Sequence, residues 1–141
     1  MEFSQIDEQV FIGTNKCCVD HFKIGLLDRG VSCDISLEGE MIDQPFGVEC
    51  FVWLPTPDHT APTRQNIDVG VAALDEMMKQ GRKVYIHCKN GHGRAPTFYA
   101  AYLVMKQRLS VEDALARISS KRPEMHLDAA QLDLLHSLIR T

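Results

Sequence analysis

The chain has 141 residues, a formal net charge of −4, and 45% hydrophobic against 24% charged residues. That length supports one domain with an adequate core, residues 1–141, and the composition is that of an ordinary soluble globular protein. The acidic balance disfavours a general nucleic-acid or anionic-membrane binder, and no apolar run approaches the length of a bilayer span.

The opening MEFSQIDEQVFIG lacks a basic start and an apolar signal core, so a cytoplasmic location is expected. Within it, QVFIG reads as a first strand. Lys16 to Arg29 reads as a helix with Val19, Phe22, Leu26 and Leu27 on one side and Gly30 as its stop. VSCDISL alternates apolar and polar residues and predicts a strand; VECFVWL predicts another, ended by Pro55. The proline-rich PTPDHTAPT is a loop feeding a helix from about Arg64 to Gln80, capped by Thr63 and closed by Gly81. Ile67, Val71, Leu74 and Met78 form its apolar stripe, and Gly70 weakens it. KVYIH is short and β-rich, hence a central strand. Helices follow over Ala95–Arg108, over Val111–Ser119 behind a Ser110/Asp113 capping box, and from an Asp128/Gln131 box to about Arg140. Strands alternating with helices predict an α/β fold, a small and largely parallel sheet flanked by helices.

The five cysteines are odd in number and form no C-x-x-C, which disfavours a disulfide framework or a structural zinc site. Cys33 and Cys50 read as buried small hydrophobes, and of the adjacent Cys17 and Cys18 at most one faces inward. Cys88 differs, because it ends the central strand and enters the glycine-rich turn CKNGHGR. The start of a helix offers unpaired N–H groups and partial positive charge, a natural anion site. Gly91 and Gly93 allow backbone angles that let those N–H groups converge, and Arg94 adds a planar fork for two phosphate oxygens. The same field favours the thiolate of Cys88, a nucleophile beneath a bound tetrahedral anion. The turn lacks the lysine and spacing of a Walker loop and the third glycine of a dinucleotide fingerprint. Zinc on His87, Cys88 and His92 would lack a second ligand pair, so no metal or other cofactor is expected.

His87 to Arg94, HCKNGHGR, matches H-C-x5-R and resembles the cysteine-dependent protein tyrosine phosphatase superfamily, in its compact dual-specificity form. The resemblance implies Cys88 as nucleophile and residues Lys89, Asn90, Gly91, His92, Gly93 and Arg94 as the phosphate-binding loop. It further implies an acid in a loop about thirty residues upstream, commonly after a proline. Asp58, behind Pro57 and thirty positions before Cys88, fits. Chemistry requires such a group, since an alkoxide or phenolate leaves poorly unless protonated. By the same likeness His87 supports the loop and Gln131 helps position the hydrolytic water, although Gln131 serves equally as the helix-capping partner of Asp128. The implied activity is hydrolysis of phosphotyrosine and phosphoserine or phosphothreonine through a phosphocysteine, by a monomer acting on phosphorylated proteins or peptides. Alternatives with the same chemistry are a phosphoinositide, phosphatidylglycerophosphate or RNA 5′-phosphatase, and a different class is a low-turnover phosphate-binding module.

The likeness has one departure. Where the family usually places serine or threonine after the signature arginine, this chain has Ala95, then Pro96 and Thr97. Loss of that hydroxyl predicts slower breakdown of the phosphocysteine, unless Thr97 or a water replaces it. Lys89 and His92 fit either ordinary solvated loop residues or a rim for polyanionic substrates.

Overall fold

A computed structural model describes residues 2–16, 25–45 and 47–139. The predicted helix from Lys16 falls mostly on positions 17–24, which lie outside the described residues, as do Cys17 and Cys18. Its end is seen as a 3₁₀ turn, Leu27–Arg29, stopped by Gly30 at φ 91°.

Among the described residues five strands form one sheet in the order β1–β2–β5–β3–β4, with β1 Phe3–Gln5, β2 Val10–Gly13, β3 Val31–Glu38, β4 Cys50–Thr56 and β5 Lys83–His87. β1 runs antiparallel to β2, and the other pairings are parallel. Four helices follow the pattern read from the sequence: α1 Arg64–Lys79, α2 Arg94–Lys106, α3 Val111–Lys121 and α4 Ala129–Ser137. β5 is central, as its apolar run demands. Val84 and Ile86 join Ile12, Cys33, Ile35 and residues of α1, α2 and α3 in the main core. Tyr85, with Phe11, Leu26 and Val31, forms a second cluster.

Four local readings need correction. The three-residue β1 was not expected; among the described residues it is an edge strand paired with β2. Pro55 does not end β4 but lies inside it, which is tolerated because among the described residues β4 is also an edge, paired with β3 on one side. In α1 the fully buried methionine is Met77, with Met78 partly buried against the core. Gly70 is more than a weak point, because a methyl there would come within 2.5 Å of the Phe98 ring and 2.6 Å of Leu54 Cδ1. Its absence lets α1 approach α2 and β4.

The caps behave as sequence chemistry dictates. Thr63 accepts from the Asn66 N–H, Ser110 from the Asp113 N–H, and Asp128 with Gln131 closes a capping box. α2 ends at Lys106, two residues early, because Arg108 adopts φ 59° and breaks the helical path.

Candidate active site

β5 delivers His87 and Cys88 to one end of the sheet, and α2 begins six residues after the thiol, at Arg94. The turn between them wraps the sulfur, and the Gly91 N–H donates to Cys88 Sγ at 3.2 Å. Gly91 needs its missing side chain, since its φ is 71° and a methyl would meet the Gly13 carbonyl oxygen at 2.6 Å. Gly93 has φ −126° and ψ −63°, a pair outside the main helical and extended regions, as expected of a glycine in this turn. Its smallness also leaves room for Gln131, whose Oε1 would lie 3.0 Å from an added methyl.

A cavity of about 180 Å³ opens above the sulfur, lined by Asp58, Cys88, Asn90, His92, Gly93, Arg94 and Gln131, together with His59, His126 and Asp128. The structure therefore brings most sequence-predicted site residues around one hollow. Lys89 is exposed and does not line it, and Gly91 contributes through its backbone N–H to the sulfur.

Arg94 is 2% exposed, and its guanidinium is fixed before any anion arrives. Nη1 donates to the Thr56 carbonyl at 2.7 Å and to Glu40 at 2.9–3.0 Å, while Nε lies 3.5 Å from Asp58 Oδ1. β4 thus ends on the arginine, and the carboxylate of Asp58 stands half-exposed beside it. Thr97, the candidate replacement for the missing hydroxyl at Ala95, donates instead to the Gly93 carbonyl at 2.7 Å. Ala95 itself is fully buried in the first turn of α2.

Behind the thiol lies a polar cluster that the sequence did not reveal. Asp34, Ser36 and Glu38 alternate along β3 with Cys33, Ile35 and Leu37, and both sets are buried. His87 Nε2 meets Asp34 Oδ1 at 2.7 Å, and its Nδ1 lies 3.5 Å from Asp43 Oδ2. Burial opposes a charge on the imidazole, but the flanking Asp34 and Asp43 carboxylates outweigh it and raise its pKa. Asp43 and Glu38 are also shifted upward, mainly by burial. The signal available beforehand was the position of β3: a strand inside a largely parallel sheet has both faces covered, so its polar residues must be buried and paired.

A second unread residue, Arg122, is 1% exposed and braces the turn from below. Its Nε donates to the Gly91 carbonyl at 2.8 Å, Nη2 to the Asn90 carbonyl at 3.1 Å, and Nη1 to Ser4 Oγ at 3.0 Å. On the far wall, Gln131 lines the cavity and takes the capping role the sequence offered it, accepting from the Asp128 N–H at 2.9 Å. Its amide also donates to the Thr60 carbonyl at 3.1 Å, tying α4 to the Asp58 loop.

A buried thiol that accepts the Gly91 N–H in the turn ahead of α2, with a fixed guanidinium and a carboxyl at the wall, fits the class of cysteine-based phosphate sites. Comparison with known proteins makes this specific. The family model for the dual specificity phosphatase catalytic domain matches residues 33–139, and the chain belongs to that family. It is 39% identical over 83 residues to the human (Homo sapiens) phosphatidylglycerophosphatase and protein-tyrosine phosphatase 1, covering 58% of this chain and 41% of that protein. It is 30% identical over 73 residues to the Rattus norvegicus dual specificity protein phosphatase 5, covering 51% of this chain and 19% of that protein. The chain thus spans less than half the length of these curated relatives. Among solved structures, PTPMT1 superposes with a TM-score of 0.81 at 27% identity, covering 98% of this chain and 94% of that one. Human DUSP28(Y102H) gives a TM-score of 0.89 at 18% identity over 99% and 95%, a likeness of fold.

Proposed function

We propose that this chain hydrolyses phosphate monoesters through a phosphocysteine at Cys88, with phosphotyrosine and phosphoserine or phosphothreonine of proteins as its first substrate class. One observation carries the reading: the Gly91 N–H on Cys88 Sγ, at the floor of a hollow walled by Arg94 and Asp58. In the first step the Cys88 thiolate attacks phosphorus, an S–P bond forms and the ester O–P bond breaks. The leaving oxygen takes a proton from the carboxyl of Asp58. In the second step water attacks phosphorus, Asp58 accepts its proton, and the S–P electron pair returns to sulfur as phosphate departs. Turn N–H groups and the Arg94 fork stabilise the charge spread over the equatorial oxygens in both steps. Arg122 holds the turn from behind through the Gly91 and Asn90 carbonyls, His87 anchors the end of β5 to Asp34, and Gln131 on the cavity wall orients the water.

A second reading, a phospholipid headgroup as substrate, is favoured by Met41 and Ile42. These are 45% and 55% exposed and directly follow Glu40, the carboxylate that holds Arg94. Apolar side chains beside a phosphate site suit an acyl-bearing ester better than a solvated peptide. The relative named phosphatidylglycerophosphatase and a solved PTPMT1 in complex with PI(5)P support it. The test is a phosphate-release panel of phosphopeptides, phosphatidylglycerophosphate and phosphoinositides in mixed micelles, and RNA 5′-phosphates, in the presence of EDTA. Turnover that vanishes in Cys88→Ser supports the proposal, and the preferred ester decides the substrate class. Turnover retained by Cys88→Ser, or abolished by EDTA, would overturn it.

A further inference from the structure

The Asp58 loop carries an unusual residue next to the acid. His59 has φ 64°, the left-handed region, and it is neither glycine nor asparagine. The turn is built for it. The Thr60 N–H and hydroxyl both reach back to the Pro57 carbonyl, at 3.2 and 2.6 Å, closing a tight turn with Asp58 and His59 at its tip. The His59 N–H donates to Asp58 Oδ1 at 2.9 Å, so the acid side chain is folded back over its own turn. The imidazole points across the mouth of the cavity to α4, where Nδ1 lies 2.9 Å from Asp128 Oδ2; Nε2 stays 3.7 Å from Asp58 Oδ2. Gln131 makes the parallel bridge to the Thr60 carbonyl.

We infer that His59 is a positioning residue for the acid: its bond to Asp128, beside the Gln131 bridge, pins the Pro57–Thr60 turn to the start of α4 and sets the Asp58 carboxyl at the wall of the Cys88 hollow. This rests on the phosphatase reading and goes beyond it, since neither His59 nor Asp128 belongs to the H-C-x5-R turn. An isolated exposed ion pair adds little to stability. Its effect here is geometric, because besides its ends in β4 and α1 the turn is held by the Gln131 bond to Thr60 and the longer Arg94–Asp58 contact, and the His59 bond to Asp128 adds the tie at its tip. A displacement of the acid by about 1 Å costs on the order of 10²-fold where proton transfer limits the rate, and nothing where it does not.

The experiment compares kcat/KM across phosphate monoesters of rising leaving-group basicity, from a difluorinated umbelliferyl phosphate through phenyl phosphate to an alkyl phosphate. Wild type is set against His59→Ala, His59→Gly and His59→Asn. His59→Gly keeps the left-handed backbone without the imidazole, and His59→Asn keeps both the backbone preference and a side chain able to donate to Asp128. The inference predicts that His59→Ala and His59→Gly lose roughly 10–100-fold on phenyl and alkyl phosphates and far less on the activated ester. His59→Asn should recover most of that loss, and Asp128→Ala should reproduce it without adding to His59→Ala. An equal loss on every ester, or none on the basic ones, overturns the inference while a Cys88-dependent wild type leaves the phosphatase reading standing. A wild type inactive even on the activated ester fails that reading, and the inference with it.

Discussion

Replacing Gly91 by alanine perturbs the turn at its tightest point, and two costs can be read from the structure. The residue has φ 71°, where an L side chain loses about 1–2 kcal/mol. The new methyl would also lie 2.6 Å from the Gly13 carbonyl oxygen, 2.7 Å from its carbon and 2.8 Å from Arg122 Nη2. Two of these are backbone atoms of β2, which cannot swing aside, so overpacking adds about 1–3 kcal/mol. The smaller unfolded-state entropy of alanine returns only about 0.4–1 kcal/mol. A net destabilisation of roughly 2–4 kcal/mol follows, a fall in Tm of about 5–15 °C for a chain of this size. Gly81→Ala is the control: its φ is 73°, but among the described residues no atom lies within 4 Å of the added methyl, so only the backbone cost applies. Guanidinium unfolding followed by Trp53 fluorescence measures both variants, and kcat/KM on an aryl phosphate reports the turn. Gly91→Ala should lose on the order of 10²-fold in kcat/KM, as its N–H leaves the sulfur, and Gly81→Ala should lose almost none. Equal stability of the two variants, or full activity in Gly91→Ala, would refute the packing argument.

Three further outcomes are expected. Arg122→Met removes the donors to Asn90, Gly91 and Ser4 and leaves the buried Gly91 carbonyl and the Ser4 hydroxyl without them, at a cost of about 2–4 kcal/mol; chemical denaturation measures it, and kcat/KM should fall with it. The raised pKa of His87 favours the folded state fully below about pH 6.5, and this contribution is lost as pH rises through the folded-state value. Asp43 and Glu38, also raised, act in the same direction from about pH 4 upward. Asp34→Asn should therefore flatten the decline in stability that sets in above about pH 6.5, read from unfolding midpoints between pH 6 and 9; an unchanged slope counts against the Asp34–His87 pair. Ala95→Ser should restore a hydroxyl that Thr97 does not supply, speeding phosphoenzyme breakdown and shrinking the burst in rapid-quench kinetics.

Much of the site was legible because its chemistry is local. Cys88, Gly91 and Arg94 lie within one strand–turn–helix unit, and Thr63, Ser110 and Asp128 cap helices through residues three positions away. Asp58 needed a family likeness, since nothing in PTPDHTAP by itself says that the loop reaches Cys88. The unread features are long-range. Arg122 bonds a residue 118 positions away, and His59 finds Asp128 across 69 positions. Asp34 was visible only as the polar beat of an alternating strand, which fits a solvated face as well as a buried one. Pro55 misled for a related reason: proline ends a central strand but not an edge strand, and edge status depends on sheet order.

The proposed chemistry depends on sulfur carrying the phosphoryl group. Wild-type protein mixed with an activated aryl phosphate should be quenched in acid within its first turnover and digested, and the peptide containing Cys88 examined by mass spectrometry. One phosphoryl group on Cys88, formed at the rate of the burst and absent from Cys88→Ser, is the predicted result. Full turnover with Cys88 unmodified at every quench time would contradict it.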